Sequence, residues 1–153
     1  MIMWRDQMSV DGGIIDSDHR HLIEIINRFE ERANGEATED ELIEILYALK
    51  FYASTHFKRE EALQRLTHYP YHDRHCQEHK ELVARLEAII ADTRKALAGN
   101  TKMAVAETGA LLKSWLVDHV IGSDLKMSTY IHAARKAGEA MELLGDVYWD
   151  GSK

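Results

Sequence analysis

The stretch YHDRHCQEH, residues 71–79, carries two histidines four positions apart, His75 and His79. Read as H-C-Q-E-H, it fits the H-x-x-E-H signature of a class of zinc proteases, with Glu78 as the general base. It equally fits one turn of helix presenting two imidazoles on one face. Two histidines do not decide between these readings. What decides is which other residues reach the same metal.

Around this stretch the chain reads as helical throughout. Strand-like alternation is nearly absent, and Pro70 is the only proline in 153 residues. A first helix is expected to start at Asp16 or Ser17, either of which can cap free backbone N–H groups. Its apolar line is His19, Leu22, Ile23, Ile26, Phe29 and Ala33, ended by Asn34-Gly35. A second is expected near Thr38, with Glu41 as its capping-box partner. Its line runs through Leu42, Leu46, Leu49, Ala53, His56, Glu60 and Leu63. After the turn at 67–71, a third line follows His75, His79, Leu82, Leu86, Ile89 and Ile90 to Gly99-Asn100. A fourth follows Val105, Leu112, Trp115, Leu116 and His119 into Gly122. A fifth helical stretch is expected over about 125–144.

Short connections make successive long helices antiparallel neighbours, so the expected fold is all-α, an antiparallel up-down-up-down four-helix bundle. We expect residues 1–124 to form its core, with an N-terminal arm over 1–15. Residues 125–153 are expected to form a C-terminal helical extension packed on or beside it, with Leu144, Tyr148 and Trp149 meeting the bundle or a partner. In this topology the starts of helices one and three share an end with the finishes of two and four. His19, His56, His75, His79 and His119 then converge at that end, each on its helix's apolar face.

The totals exclude other classes. A net charge of −7 argues against a nucleic-acid partner, which demands clustered Lys and Arg. No apolar run approaches the ~20 residues that span a membrane, and the N-terminus has no signal-peptide core. One cysteine, Cys76, forms no internal disulfide. The expected location is the cytoplasm.

A lone core-facing histidine is usually a satisfied polar residue, but five together without a metal are costly. Each needs hydrogen-bond partners, and protonated ones repel. Glu60 shares a face with His56, four residues before it. Asp124 lies five residues after His119, roughly 140° around a regular helix. For both to point inward the backbone must deviate, by a bulge or a helix end, and Gly122 makes that cheaper. Seven ligands exceed what one zinc uses. They suit two metals bridged by two carboxylates, and iron accepts this imidazole–carboxylate mixture. None of the nine histidines has a Glu three before it, unlike ferritin-like di-iron bundles. His21 and His132 read as surface residues. His68 and His72 flank the turn, with His72 in reach as a supporting partner. Glu78 falls off the ligand face and reads as solvated, and Cys76 as a passive thiol.

The segments IDSDHRHLIEIIN (15–27), HFKREE (56–61), YPYHDRHCQEH (69–79) and WLVDHVIGSD (115–124) together resemble the hemerythrin family, in particular its bacterial single-domain members. The resemblance implies reversible dioxygen binding at a non-haem di-iron centre, for carriage, storage or delivery, without a catalytic residue. His75, His79 and His119 would hold one iron, and His19 and His56 the other. Glu60, Asp124 and an oxo or hydroxo group would bridge them. Dioxygen would take the open position on the two-histidine iron, in a pocket walled by Leu116 and Phe57, with Trp115 and Val120 nearby. Two positions depart from the family pattern. Gln64 stands where methionine is frequent, and Met127 where tyrosine is frequent. A wetter pocket at these positions would favour the alternatives, a di-iron peroxidase or a scavenger of nitric oxide or peroxide. A sensor acting through a separate partner at 125–153 is a third.

Overall fold

Thr38 and Glu41 show how locally this fold is written. The Thr38 hydroxyl accepts from the Glu41 amide at 3.2 Å, and the Glu41 carboxylate accepts from the Thr38 amide at 2.8 Å. This reciprocal cap starts the second helix where the sequence placed it. In the computed structural model, residues 1–99 and 102–138 are described, with side chains of the fourth helix from Val105 onward. Four long helices follow one another: α1 (Ile14–Ala33), α2 (Glu39–Leu66), α3 (His72–Ala98) and α4 (Lys102–Gly122). A 3-10 turn at Asp124–Met127 leads into a short α5 (Ser128–Lys136). No strand occurs among the described residues. α1 packs on α2 and α4, and α3 packs on the same two, which closes a four-helix bundle.

Each helix buries the stripe its spacing predicts. Leu22, Ile26 and Phe29 of α1 meet Leu46, Leu49 and Ala53 of α2 in one apolar cluster. Leu86 and Ile90 of α3 and Leu112 and Trp115 of α4 complete it. The buried Trp115 indole donates to the Leu82 carbonyl at 2.9 Å, so its polar atom costs little.

The start of α1 differs from expectation. The helix begins at Ile14, and neither Asp16 nor Ser17 caps it. Asp11 does that work from the arm, accepting from the amides of Gly13, Ile15 and Asp16 at 2.8–3.0 Å. Asp16 instead points back, accepting from the amides of Val10 and Gly12 and from the Ser9 hydroxyl. The two aspartates thus brace arm and helix reciprocally. Gly12, at φ +64°, supplies the left-handed turn between them. From α5, Arg135 hydrogen-bonds the Asp11 carbonyl and lies 3.9 Å from its carboxylate.

That brace closes a second apolar cluster of Val10, Ile15, Leu63, Tyr69, Met127 and Ile131. α5 stops at Lys136, short of the expected 144, and Gly138 turns left-handed at φ +77°. The expectation for 139–144, and those for Leu144, Tyr148 and Trp149, lie outside the described residues. No helix among the described residues is long and apolar enough to cross a membrane.

Candidate metal centre

Between the two apolar clusters lies a layer of buried polar side chains. Phe57 below Glu60 belongs to the larger cluster, and Leu63 above it to the smaller. α2 supplies His56 and Glu60 one turn apart, α3 supplies His75 and His79, and α1 supplies His19 from its second turn. His119 comes from the last turn of α4. Asp124 reaches the same place because α4 ends at Gly122 and the chain re-enters through Ser123 as a 3-10 turn. The deviation expected between His119 and Asp124 is therefore a helix end. Gly122 is not required for it, since an added Cβ there would meet nothing within 4 Å.

All seven predicted metal-site residues come together, every one of them buried. Their ligand atoms form two groups. One holds Glu60, His75, His79, His119 and Asp124; the other holds His19, His56, Glu60 and Asp124. The carboxylates belong to both, and each divides its oxygens between them. Glu60 Oε2 lies 2.9 Å from His79 Nε2 and 3.4 Å from His75 Nε2, while Oε1 lies 3.8 Å from both His19 and His56. Asp124 Oδ1 lies 2.9 Å from His119 and 3.0 Å from His75, while Oδ2 lies 3.1 Å from His19.

These contacts are short, yet the five Nε2 atoms and four carboxylate oxygens make no aligned hydrogen bond. Buried polar atoms are rarely left so. Lone pairs that converge without aligned donors are what bound cations require. The donors are imidazoles and carboxylates, which suit divalent iron among other borderline metals. The residues therefore fit a pair of metal ions.

Carboxylates also hold the outer faces of the ligand rings. Asp18 lies 2.9 Å from His56 Nδ1, takes a two-pronged contact from Arg59 at 2.7 and 2.8 Å, and accepts from the Tyr52 hydroxyl at 2.8 Å. Burial pushes its pKa up, but the bonds from His56, Arg59 and Tyr52 outweigh it and hold Asp18 far below the usual carboxylate range. Glu61 meets His79 Nδ1 at 2.8 Å. Such partners fix the tautomer and raise the basicity of the ring. Sequence reasoning singled out neither Asp18 nor Glu61. The signal was present in DSDHRH and HFKREE, whose acids adjoin a candidate ligand.

Glu78 is not simply solvated as expected. It accepts from the Ser123 hydroxyl at 2.7 Å and lies 4.0 Å from His119 Nδ1. Gln64 and Met127, the two departures from the family pattern, meet each other. The fully buried Gln64 amide lies 3.1 Å from the Met127 sulfur, and its oxygen lies 3.0 Å from His72 Nδ1. His72 in turn lies 3.5 Å from the Cys76 sulfur. His21, His68 and His132 are exposed.

Of the pocket residues, Leu116, Phe57 and Trp115 line a narrow cleft together with Leu22, Leu82, His56, His119 and Asp124. Val120 is buried in the core but does not line it. Phe57 stacks on the His79 ring at 4.0 Å. Gln64 does not reach the cleft.

The charges predict opposite pH responses with and without metal. Burial opposes protonation of His75, but Asp124 and Glu60 overcome it and raise its pKa from 6.5 to about 10. His19 and His119 are raised for the same reason, while both carboxylates are held low by the imidazoles. A group raised on folding contributes stability below its unfolded pKa and loses it as pH rises toward the folded value. Metal-free protein should thus lose thermal stability between pH 6.5 and about 10. Metal ligation needs neutral imidazoles, so saturating ferrous iron should reverse that slope. Anaerobic melts with chelator and with iron check this, and slopes of equal sign would contradict it.

A family model described as the hemerythrin HHE cation-binding domain matches residues 13–131. Bacteriohemerythrin from Stenotrophomonas maltophilia is 24% identical over 139 residues, covering 87% of this chain and 83% of its own. Bacteriohemerythrin from Clostridium acetobutylicum is 26% identical over 127 residues, 81% of this chain and 96% of its own. A crystal structure of wild-type hemerythrin superposes with a TM-score of 0.69 at 23% identity, covering 86% of this chain and 98% of that one. With most of its residues inside the cation-binding match, the chain belongs to the hemerythrin family.

Proposed function

We propose that the chain binds dioxygen reversibly at a di-iron centre. His75, His79 and His119 would hold one ion, His19 and His56 the other, and Glu60 and Asp124 both. The observation that carries this reading is the narrow, mostly apolar cleft whose lining includes His56, His119 and Asp124. An iron pair held by these residues would supply the electrons that dioxygen takes up on binding.

The chain's own residues do the rest. Leu22, Leu82 and Leu116 offer dioxygen a dry wall and give water no hydrogen bond. Phe57 and Trp115 fix that wall, Phe57 by stacking on His79 and Trp115 by its bond to Leu82. Asp18 and Glu61 keep the His56 and His79 rings oriented. Gln64 spends its amide on Met127 and its oxygen on His72, so it brings no water to the cleft. That favours binding over turnover as a peroxidase or scavenger.

Iron-loaded, reduced protein exposed to air should give an oxygenated spectrum that reverses under argon. Immediate irreversible oxidation to the ferric form would overturn the reading. Leu116→Ala opens the dry wall, and it should speed autoxidation by about tenfold, the scale of one lost ~1.4 kcal/mol barrier. An autoxidation rate unchanged in this variant would show that Leu116 does not guard the site.

A further inference from the structure

A second cavity reaches the ligand layer from outside. Its volume is about 290 Å³, near the lower limit for small-molecule sites. Its lining includes the candidate ligand His75 together with Tyr69, Tyr71, Arg74, Glu78 and Lys126. It shares no lining residue with the apolar cleft. The cleft beside the centre is therefore apolar and this cavity polar.

The polar one is built to hold a planar anion. Lys126 is exposed and has no ion pair among the described residues. Arg74 is 80% exposed and among the described residues pairs only with Glu78, at 3.6 Å through Nε, so its terminal N–H groups have no ion-pair partner there. Tyr69 and Tyr71 stand edge to face at 5.7 Å, and Tyr71 is 57% exposed, so a ring face is open to stacking. Two cations against one carboxylate give an anion-attracting spot on a chain of net charge −7. A ligand seated there is one imidazole away from the ligand layer through His75, whose Nε2 lies 3.0 Å from Asp124 and 3.4 Å from Glu60. Glu78 adds a second route, 4.0 Å from His119.

We propose that this cavity binds a small anionic reductant with a planar conjugated ring, and that electrons enter the di-iron centre from it through His75. The inference rests on the di-iron reading but not on reversible dioxygen binding. Its need is plain: an iron pair oxidised to the ferric state returns to ferrous only with a reductant. An enediol such as ascorbate gives one electron and one proton per molecule, leaving its radical anion, so two molecules return two ferric ions to ferrous. A dihydroflavin phosphate gives both electrons and two protons at once, leaving the oxidised flavin.

Two measurements test it. In metal-free protein, flavin mononucleotide fluorescence should be quenched saturably, and the double variant Arg74→Glu, Lys126→Glu should weaken that binding at least tenfold. In ferric protein under argon, reduction by ascorbate and by reduced flavin mononucleotide should saturate with reductant concentration. The double variant should make the rate linear in concentration and about tenfold slower, whereas neutral hydroquinone should change less than twofold. Saturation with only one of the two reductants identifies the ligand source. Absence of saturable flavin quenching together with linear ascorbate reduction in the unaltered protein would overturn the proposal. So would equal slowing of hydroquinone. Failure to release dioxygen under argon would leave these outcomes unchanged, so the two readings fail separately.

Discussion

Glu60→Ala is expected to lower the iron content from about two ions per chain to one or fewer, and to collapse the stabilisation that metal confers. Glu60 is the only candidate ligand on α2 that faces both groups of donors, with Oε1 toward His19 and His56 and Oε2 toward His75 and His79. Without it the group of His19 and His56 keeps a single oxygen donor, that of Asp124. A ligand present at about a thousand times its dissociation constant adds roughly 4 kcal/mol of stability. In a chain of this length that is about 10 °C or more in melting temperature. Metal analysis after anaerobic loading, and melts with and without chelator, read both effects. A variant that still binds two irons, with an undiminished chelator-sensitive shift, would show that Glu60 does not bridge.

Asp18→Ala should be strongly destabilising although Asp18 is not among the seven ligands. It removes one carboxylate and strands Arg59, His56 and Tyr52, all of which point at it. Breaking a buried pair by deleting one partner costs about 3–5 kcal/mol, most of it from the charge left behind. The Arg59 side chain keeps 13% of its surface exposed rather than being sealed, which puts the expected cost toward the lower figure. Urea unfolding of the metal-free protein measures it, and a loss below about 1 kcal/mol would refute the account. The same variant should weaken metal affinity by about 10–100-fold, because His56 loses its orienting partner. Asp18→Leu combined with Arg59→Met removes both charges and should recover much of the stability without restoring the affinity.

Much of this site was legible because helices convert spacing into direction. His56 with Glu60, and His75 with His79, needed only the four-residue repeat. Placing His19 and His119 beside them needed only the alternation of helix directions. What was not legible depends on contacts between segments far apart in the chain. Asp18 partners His56 across 38 residues, and nothing within DSDHRH tells a solvated acid from a buried one. Glu78 looked solvated on its own helix; it is Ser123, beyond the end of α4, that turns toward it. Asp11 was missed as the cap of α1 because it lies before a glycine pair, and the nearer Asp16 fits the usual pattern better. Gln64 and Met127 each departed from the family pattern singly, and only the structure shows that they answer each other.

The contact between Arg135 and Asp11 joins positions 124 residues apart, beside the smaller apolar cluster above the ligand layer. A chain emerging from the ribosome carries His19, His56, Glu60, His75 and His79 well before His119 and Asp124. Until Asp124 and Arg135 appear, those five donors lack both the second shared carboxylate and the clasp that holds arm to α5. Such separations slow closure, because the intervening chain must be ordered first. The ligand layer is therefore among the last parts of the molecule to assemble during synthesis, with the helices that carry it already in place.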